Sequence, residues 1–596
     1  VSAGSFEIRQ ACYYIGNLEF PVRCELARRR VTAKGKGIEF LRMGSEHMKK
    51  AVTGFLLGSL LMAGGAALAA EPADATMEKD AVKETAAKVS QQAVPAEKRK
   101  GTMVFVPLDT RPVCKDYTVK TMQAAGWDIV APPDEMLSSL SHSGDPDKLL
   151  DWLEENAKEA VAVVASADSL IYGGLVDSRT HHTDLTVLQS RVERLLSLKK
   201  GGAGPDIYMF ITIMRSPKRS AAPVEPVYYE QWGPQLFRQG ALQDKSELGK
   251  LSRKEEKELK ALNHEIPRNV IADYYGRRKI NMQTTELLLH GIETGVFTNL
   301  LIGRDDTSPL SQAHREALHL GSLVNELPKS KIRFFAGADQ LGLVLLTQAA
   351  NRLMFTTPLV YTEYAAGKGG ETVPTYEDNT IANSARQHIY ASGAFPVRKA
   401  KNADFVLAVN TPYNGKTLEA SDAKNNGAAD KYTKAFARKV QSYLDDGKKV
   451  IVADSKYGNG ADNALVKELF RRGIAYKLAA YGGWNTSGNS LGFALAQGME
   501  STYFTGNAGR DFLNVRYLDD WAYQANARMD VYKNVIWPNH MPNSGFTPEQ
   551  QAVAEKAIKE SIVKTAEPIM GDAALEYDFK LPWSRMFEVQ PVKKKN

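Results

Sequence analysis

Cysteine is the scarcest feature of this chain: Cys12, Cys24 and Cys114 are its only three in 596 residues. Two of them precede residue 50, so the body of the chain holds one thiol and no intrachain disulfide framework. No Cys-x-x-Cys pair and no His-Glu-x-x-His run occurs, which removes the common zinc signatures. His181 and His182 form the one adjacent histidine pair, and in their polar stretch they read as solvated residues, not metal ligands. A strong excess of one charge is missing too. Ten Lys or Arg against five Asp or Glu fall within residues 1–50 and none within 51–70, so the net +7 becomes +2 for the remainder. A near-neutral body carries no electrostatic footprint for nucleic acid. No repeat of 20–50 residues is present, which argues against a solenoid.

The longest apolar run, AVTGFLLGSLLMAGGAALA, follows Met48-Lys49-Lys50 and ends on Ala67-Leu68-Ala69. A basic start, an apolar core and a small-residue exit are the layout of a secretory signal peptide. Four glycines weaken the run as a membrane span, and no lipidation cysteine follows it. The expectation is a signal peptide over 48–70, an exported protein, secreted or periplasmic, and no stable membrane insertion after cleavage. On that reading Met48 is the initiator and residues 1–47 are translated upstream sequence or disordered. Residues 71–100 are rich in Ala, Lys, Glu and Gln without aromatics, the composition of a disordered linker.

From residue 101 onward the chain alternates short apolar runs with amphipathic stretches, the pattern of parallel strands joined by helices. Strands are expected at 102–108, 128–131, 161–166, 207–213, 299–303 and 332–336. A second set is expected at 358–362, 405–409, 449–453 and 475–481. The predicted fold is therefore α/β, with mostly parallel sheets in two lobes. The first lobe, 101–355, is doubly wound or incomplete barrel-like, and the second, 356–510, is flavodoxin- or Rossmann-like. A helical tail, 511–596, carries Trp521, Tyr523 and Trp537 and is expected to pack across both lobes. The long gap between 213 and 299 contains KSELGKLSRKEEKELKALNHE, which reads as a solvated helical excursion or a lid.

Seven of the apolar runs stop on Asp or Asn: at Asp109, Asp168, Asp305 with Asp306, Asp339, Asn410, Asp454 and Asn485. Ligands of α/β proteins sit outside the carboxyl ends of the strands. Polar residues placed there repeatedly are expected to build one pocket. Arg111, two residues beyond Asp109, offers a planar fork for a carboxylate or for sugar hydroxyls. Asp168 opens the stretch DSLIYGGLVDSR, which ends at Arg179 and lacks the spacing of a phosphate-binding loop. Asp305-Asp306 is the sharpest feature, because two close carboxyls cannot both ionise freely, so that an acid and a base coexist near neutrality. That arrangement suits glycoside hydrolysis, equally a divalent metal, and at its plainest a helix cap. In the second lobe Trp484 lies beside Asn485 and Asn489 on a glycine-rich loop, which reads as an aromatic platform with amides for a sugar.

The motifs VPLDTRP, ADSLIYGGLVDSR, GRDD, GADQLG, ADSKYGNGAD and YGGWNTSGNSLG, in this order, resemble the bacterial family called domain of unknown function 4127, over about residues 102–590. The resemblance implies one architecture spanning both lobes and carries no reaction with it. The family pattern has Glu where Gln340 stands and Ala where Ser487 stands, so Gln340 is a weak candidate for catalysis. The reading of the residues is a hydrolase of a saccharide or cell-envelope glycan with Asp305, Asp306 and Asp109 as catalytic residues. Arg111, Asp168, Arg179, Asp339, Asn410, Asp454, Trp484, Asn485 and Asn489 are expected to hold the substrate, with no cofactor or metal. The alternatives are a Mg2+- or Ca2+-dependent hydrolase using the same aspartates and a noncatalytic two-lobed solute-binding protein.

Overall fold

The computed structural model describes residues 101–199 and 204–594. The expectations for residues 1–47, 48–70 and 71–100 lie outside the described residues. No helix among the described residues is long and apolar enough to cross a membrane.

The first lobe is built on six strands: β1 (Thr102–Val106), β2 (Asp128–Val130), β3 (Ala162–Ser166), β4 (Asp206–Ile213), β5 (Asn299–Arg304) and β6 (Ile332–Ala336). All pair in parallel, in the order β2-β1-β3-β4-β5-β6. The central strands are almost continuous runs of buried apolar residues because helices cover both faces. Leu170 and Leu288 pack in the cluster on one face, Leu341 and Leu345 in the cluster on the other. The sheet is thus open and doubly wound. Between β4 and β5 lie the helices Tyr229–Glu247, Arg253–Glu265 and Arg268–Glu293. The middle one starts on a Ser252/Glu255 capping box and buries only Leu262, as its charge density predicts.

The second lobe contributes β7 (Leu359–Tyr364), β8 (Phe395–Val397), β9 (Phe405–Asn410), β10 (Leu418–Glu419), β11 (Lys449–Asp454), β12 (Tyr457–Gly458) and β13 (Ala480–Gly482). Five of these form a parallel sheet in the order β13-β11-β9-β7-β8, while β10 and β12 make a separate two-residue pair. Read from its own first strand the sheet has the 2-1-3-4-5 order of a flavodoxin-like lobe. The first lobe repeats that order with one strand added. Strand β8 has no signal in the sequence, because it is an edge of three residues with Pro396 at its centre. The run 475–481, expected to be extended throughout, is a tight turn over Ala475–Lys477, and only Ala480–Gly482 pairs. Its buried residues Ala475 and Leu478 are three apart, a spacing of turns and not of strands.

Glycine brings the two lobes together. Helix Leu341–Leu353 packs on helix Ser487–Glu500. A Cβ at Gly492 would come within 2.4 Å of Gln340 Cγ and 2.6 Å of His388 Cδ2. The tail then ties both lobes. Trp521 and Tyr523 are fully buried in the second-lobe core, whereas Trp537 is half exposed. Trp583 Nε1 donates to Thr110 Oγ1 at 2.9 Å, Gln590 Nε2 to Asp116 Oδ2 at 2.6 Å, and Arg516 lies over the Tyr117 ring. The tail closes with the antiparallel pair β14 (Tyr577–Lys580) and β15 (Gln590–Lys593).

Candidate functional site

The carboxyl ends of the two sheets face each other, and the polar strand-end residues of the first lobe converge there. Asp109 follows β1 and is fully buried. Arg111 reaches back to it with Nε at 3.0 Å and Nη2 at 2.8 Å, while the same Nη2 binds Asp339 Oδ1 at 2.6 Å. Asp339, after β6, also accepts from Asn485 Nδ2 at 3.0 Å. Its backbone N–H and that of Ala338 both donate to Asn489 Oδ1 at 3.1 Å. Arg111, Asp109 and Asp339 therefore form an enclosed triad locked to the second lobe by two asparagines. Burial pushes the Asp339 carboxyl up against the opposing pull of Arg111, and burial likewise raises the Cys114 thiol beside it.

Asp168, at the end of β3, is also sealed from solvent. It accepts from Thr212 N and Thr212 Oγ1, each at 2.9 Å. Burial nonetheless lifts its carboxyl to about 7, with the charge of Asp305 adding to the lift. The nearby doublet is more open. The side chains of Asp305 and Asp306 retain 13% and 22% exposure. Asp305 Oδ2 is gripped by Arg179 Nη2 at 2.5 Å, and Asp306 Oδ2 by Arg215 Nη1 at 3.0 Å. Glu225, buried, sits behind both guanidinium groups, 2.6 Å from Arg215 Nε and 3.8 Å from Arg179 Nη1. Burial first and the Asp305 charge second push the Asp306 carboxyl to about 6, against the lowering effect of Arg215 and Arg179. Each carboxyl of the doublet thus faces an arginine, and Asp306 keeps its proton to a higher pH than an ordinary carboxyl does.

The second lobe closes a ring of contacts around this doublet. Thr307 N donates to Tyr376 O at 3.0 Å. Tyr376 donates its hydroxyl to Glu419 Oε1 at 2.7 Å, and Asn459 Nδ2 binds Glu419 Oε2 at 2.9 Å. Asn459 N then donates to Asn485 O at 2.8 Å, which leads back to Asp339. Four residues of this ring, Asp306, Tyr376, Asn459 and Asn485, have positive φ (30°, 69°, 58° and 61°). Non-glycine residues in that region cost free energy, on the order of 1–3 kcal/mol each, and concentrate at functional sites. Asn and Asp tolerate that region better than other residue types, so Tyr376 is the one for which it is out of character.

Several expected participants stand elsewhere. Asn410 and Asp454 bond each other at 2.8 Å and join Asp462, Lys456 and Tyr481 in a buried second-lobe cluster, not the first-lobe carboxylates. Trp484 offers no platform: it is 5% exposed, belongs to the first-lobe core cluster and meets Phe587 edge-on at 6.1 Å. The glycine-rich backbone turns its ring inward, where an aromatic of that size contributes most. Asn489 lies inside the helix Ser487–Glu500 and is occupied by the Ala338 and Asp339 amides. His181 is not a solvated residue. It stacks on Tyr172 at 4.9 Å and bonds Asn281 Oδ1 at 2.8 Å, whereas its neighbour His182 is open, as expected. These two histidines line a pocket of about 240 Å3 with Asp273 and Arg277.

The reading by sequence excludes a Gly-x-Ser-x-Gly nucleophile elbow, and that exclusion is wrong: Gly488-Asn489-Ser490-Leu491-Gly492 has the spacing. Ser490 lies in the helix and not on the turn before it, and its Oγ donates to Trp484 O at 2.9 Å. Arg215, Glu225, Tyr376 and Glu419 are also absent from that reading. Arg215 follows the end of β4 and could have been found by the strand-end rule had it been extended to cations. Among the described residues no group of three or more His, Cys, Asp or Glu is arranged to hold a metal ion.

Two doubly wound lobes meeting at their carboxyl edges, with paired carboxylates and guanidinium groups between them, define a two-lobed α/β protein with an interlobe polar site. A family model described as a protein of unknown function, DUF4127, matches residues 103–591, and the chain belongs to that family. A comparison with curated proteins finds no match.

Proposed function

We propose that this protein is an exported hydrolase of a saccharide or glycoconjugate, working by acid–base chemistry at Asp305 and Asp306. The observation that carries the reading is the doublet of adjacent, partly open carboxyls, each held by an arginine, with Asp306 pushed to about 6. In the proposed reaction the Asp306 carboxyl donates its proton to the departing glycosidic oxygen as the bond to the anomeric carbon breaks. The Asp305 carboxylate, held by Arg179, steadies the positive charge on the sugar or orients an acetamido group. Water then bonds to the anomeric carbon and returns a proton to Asp306, so the net change is addition of one water. Tyr376, Glu419, Asn459 and Asn485 supply the hydroxyl, carboxylate and amide groups that sugar hydroxyls require. Asp109 and Asp339 act behind them as a frame, since Arg111 fills their oxygens. Export rests on the three-part pattern of residues 48–70.

A second reading, a noncatalytic solute-binding protein, draws on the two lobes of like topology facing each other. It has no need of a carboxyl poised to hold a proton. The use of the same aspartates as Mg2+ or Ca2+ ligands is less favoured, because each already faces an arginine. The deciding experiment incubates the protein with acetamido-sugar and neutral glycosides, uronate oligosaccharides and soluble peptidoglycan fragments, and looks for new reducing ends. Cleavage of at least one class is expected. Binding without cleavage across the set would favour the solute-binding reading.

A further inference from the structure

The second lobe carries an exposed aromatic surface that the proposed reaction does not use. Beyond the end of β9 the loop 411–417 presents Tyr413, which is 51% exposed. Its ring stacks on Tyr432 with centroids 4.0 Å apart and planes 19° apart, and Tyr432 stands in the first turn of helix Lys431–Asp445. The backbone beneath is fixed. Lys368 N donates to Tyr413 O at 3.0 Å, and Gly367, at φ 96°, lies so close that a Cβ there would be 2.2 Å from Tyr413 O. An exposed aromatic ring on a rigid backbone is prepared to receive a flat apolar face, and one side of a pyranose ring is such a face.

Charge and position narrow the ligand. Lys431 Nζ lies 5.1 Å from the centroid of the Tyr432 ring, and Lys416 projects from the same loop as Tyr413. Among the described residues neither lysine forms an ion pair. The same loop runs on to Glu419, which bonds Tyr376 beside Asp306. Glu419 lies six positions beyond Tyr413, a reach of at most about 20 Å of extended chain. Linked sugar units can cover any distance up to that limit, so a chain held beside Asp306 can extend to Tyr413.

We propose that Tyr413, backed by Tyr432 and flanked by Lys416 and Lys431, is a distal subsite for an oligosaccharide bearing carboxylate groups. The proposal rests on the saccharide reading of the Asp305-Asp306 site. It moves the aromatic platform from the buried Trp484, after β13, to the exposed Tyr413, after β9, two strands along the same sheet.

The test measures calorimetric binding of oligogalacturonides of increasing length to the Asp306→Asn protein, so that the ligand is not consumed, and to the same protein with Tyr413→Ala. Uncharged chitooligosaccharides serve as the comparison, and turnover of both series by the wild type is followed separately. Affinity should rise with chain length in the Asp306→Asn protein, and Tyr413→Ala should remove that gain, weakening the long oligomers about tenfold with little change for the shortest. Long oligogalacturonides held equally by both proteins would overturn the subsite while leaving the proposed activity intact wherever the wild type still cleaves glycan. A length-dependent gain of equal size for chitooligosaccharides would overturn the acidic specificity. If no glycan is bound or cleaved by any form, the saccharide reading and the subsite fall together.

Discussion

Asp305 and Asp306 are neighbours that differ in what surrounds them. Arg179 holds the first at 2.5 Å, while the second combines burial, a neighbouring negative charge and a left-handed backbone. If Asp306 is the proton donor, the active form is the protonated one, and kcat/KM should fall as pH rises through about 6. Arg215 opposes that lift, so Arg215→Ala should move the falling limb to higher pH; a limb that stays in place would separate the titration from Asp306. Stability should sort the aspartates differently. Asp109→Ala removes most of the hydrogen bonds that hold the buried Arg111 and leaves it Asp339 alone, so it should cost about 2–3 kcal/mol in urea unfolding. Asp306→Asn should cost little, because it removes a carboxyl that resists ionisation and Arg215 keeps Glu225. The strand-end rule, applied to the sequence, finds Asp109, Asp168, Asp305, Asp306 and Asp339 correctly placed at the ends of first-lobe strands. It could not show which of them are sealed, since that depends on arginines and asparagines arriving from far along the chain. Nor could it find Glu419, whose place is set by Tyr376, 43 residues earlier.

Strands and helices were legible because alternation of apolar runs with amphipathic stretches is a local property. The edge strand β8 and the turn at 475–477 escaped because pairing, not pattern, decides them. Closeness between the lobes is set by small residues that local pattern does not rank. A Cβ at Gly488 would lie 2.4 Å from Ala336 O and 3.3 Å from Glu377 Oε1, at the start of the helix that joins the lobes. Gly488→Ala should therefore destabilise the protein by roughly 1–3 kcal/mol through forced separation. Gly276 and Gly321 sit inside helices with nothing within 4 Å of an added Cβ. Alanine at either should instead stabilise by up to about 1 kcal/mol. Chemical melts of the three variants make the comparison, and a neutral Gly488→Ala would mean that the lobe contact yields easily.

At the scale of the whole molecule, buried carboxyls tie stability to pH. Burial raises Asp168 and Asp520 to about 7, Glu377 to about 8, and Asp454 and Asp519 to about 6. Each folded-state value lies above its unfolded one, so the fold holds protons that the unfolded chain has released, and stability declines as pH rises through these values. His388 acts in the opposite sense. Burial lowers it to about 4, so stability is lost as pH falls below its ordinary value of 6.5. Between pH 8.5 and 6.5 these carboxyls act together with His314, which its hydrogen bond to Asp244 raises above 6.5 and which therefore works in the same sense, and Tm should rise as pH is lowered across that window. Glu377→Gln should flatten the rise, and a Tm that is level or falling in the wild type would contradict the assignment. The most direct test of the central claim compares glycan hydrolysis by the wild type and by Asp306→Asn over pH 4–9. We expect the variant to lose at least about a hundredfold in kcat with KM little changed, as loss of a general acid implies. Cleavage by Asp306→Asn at the wild-type rate would contradict the account.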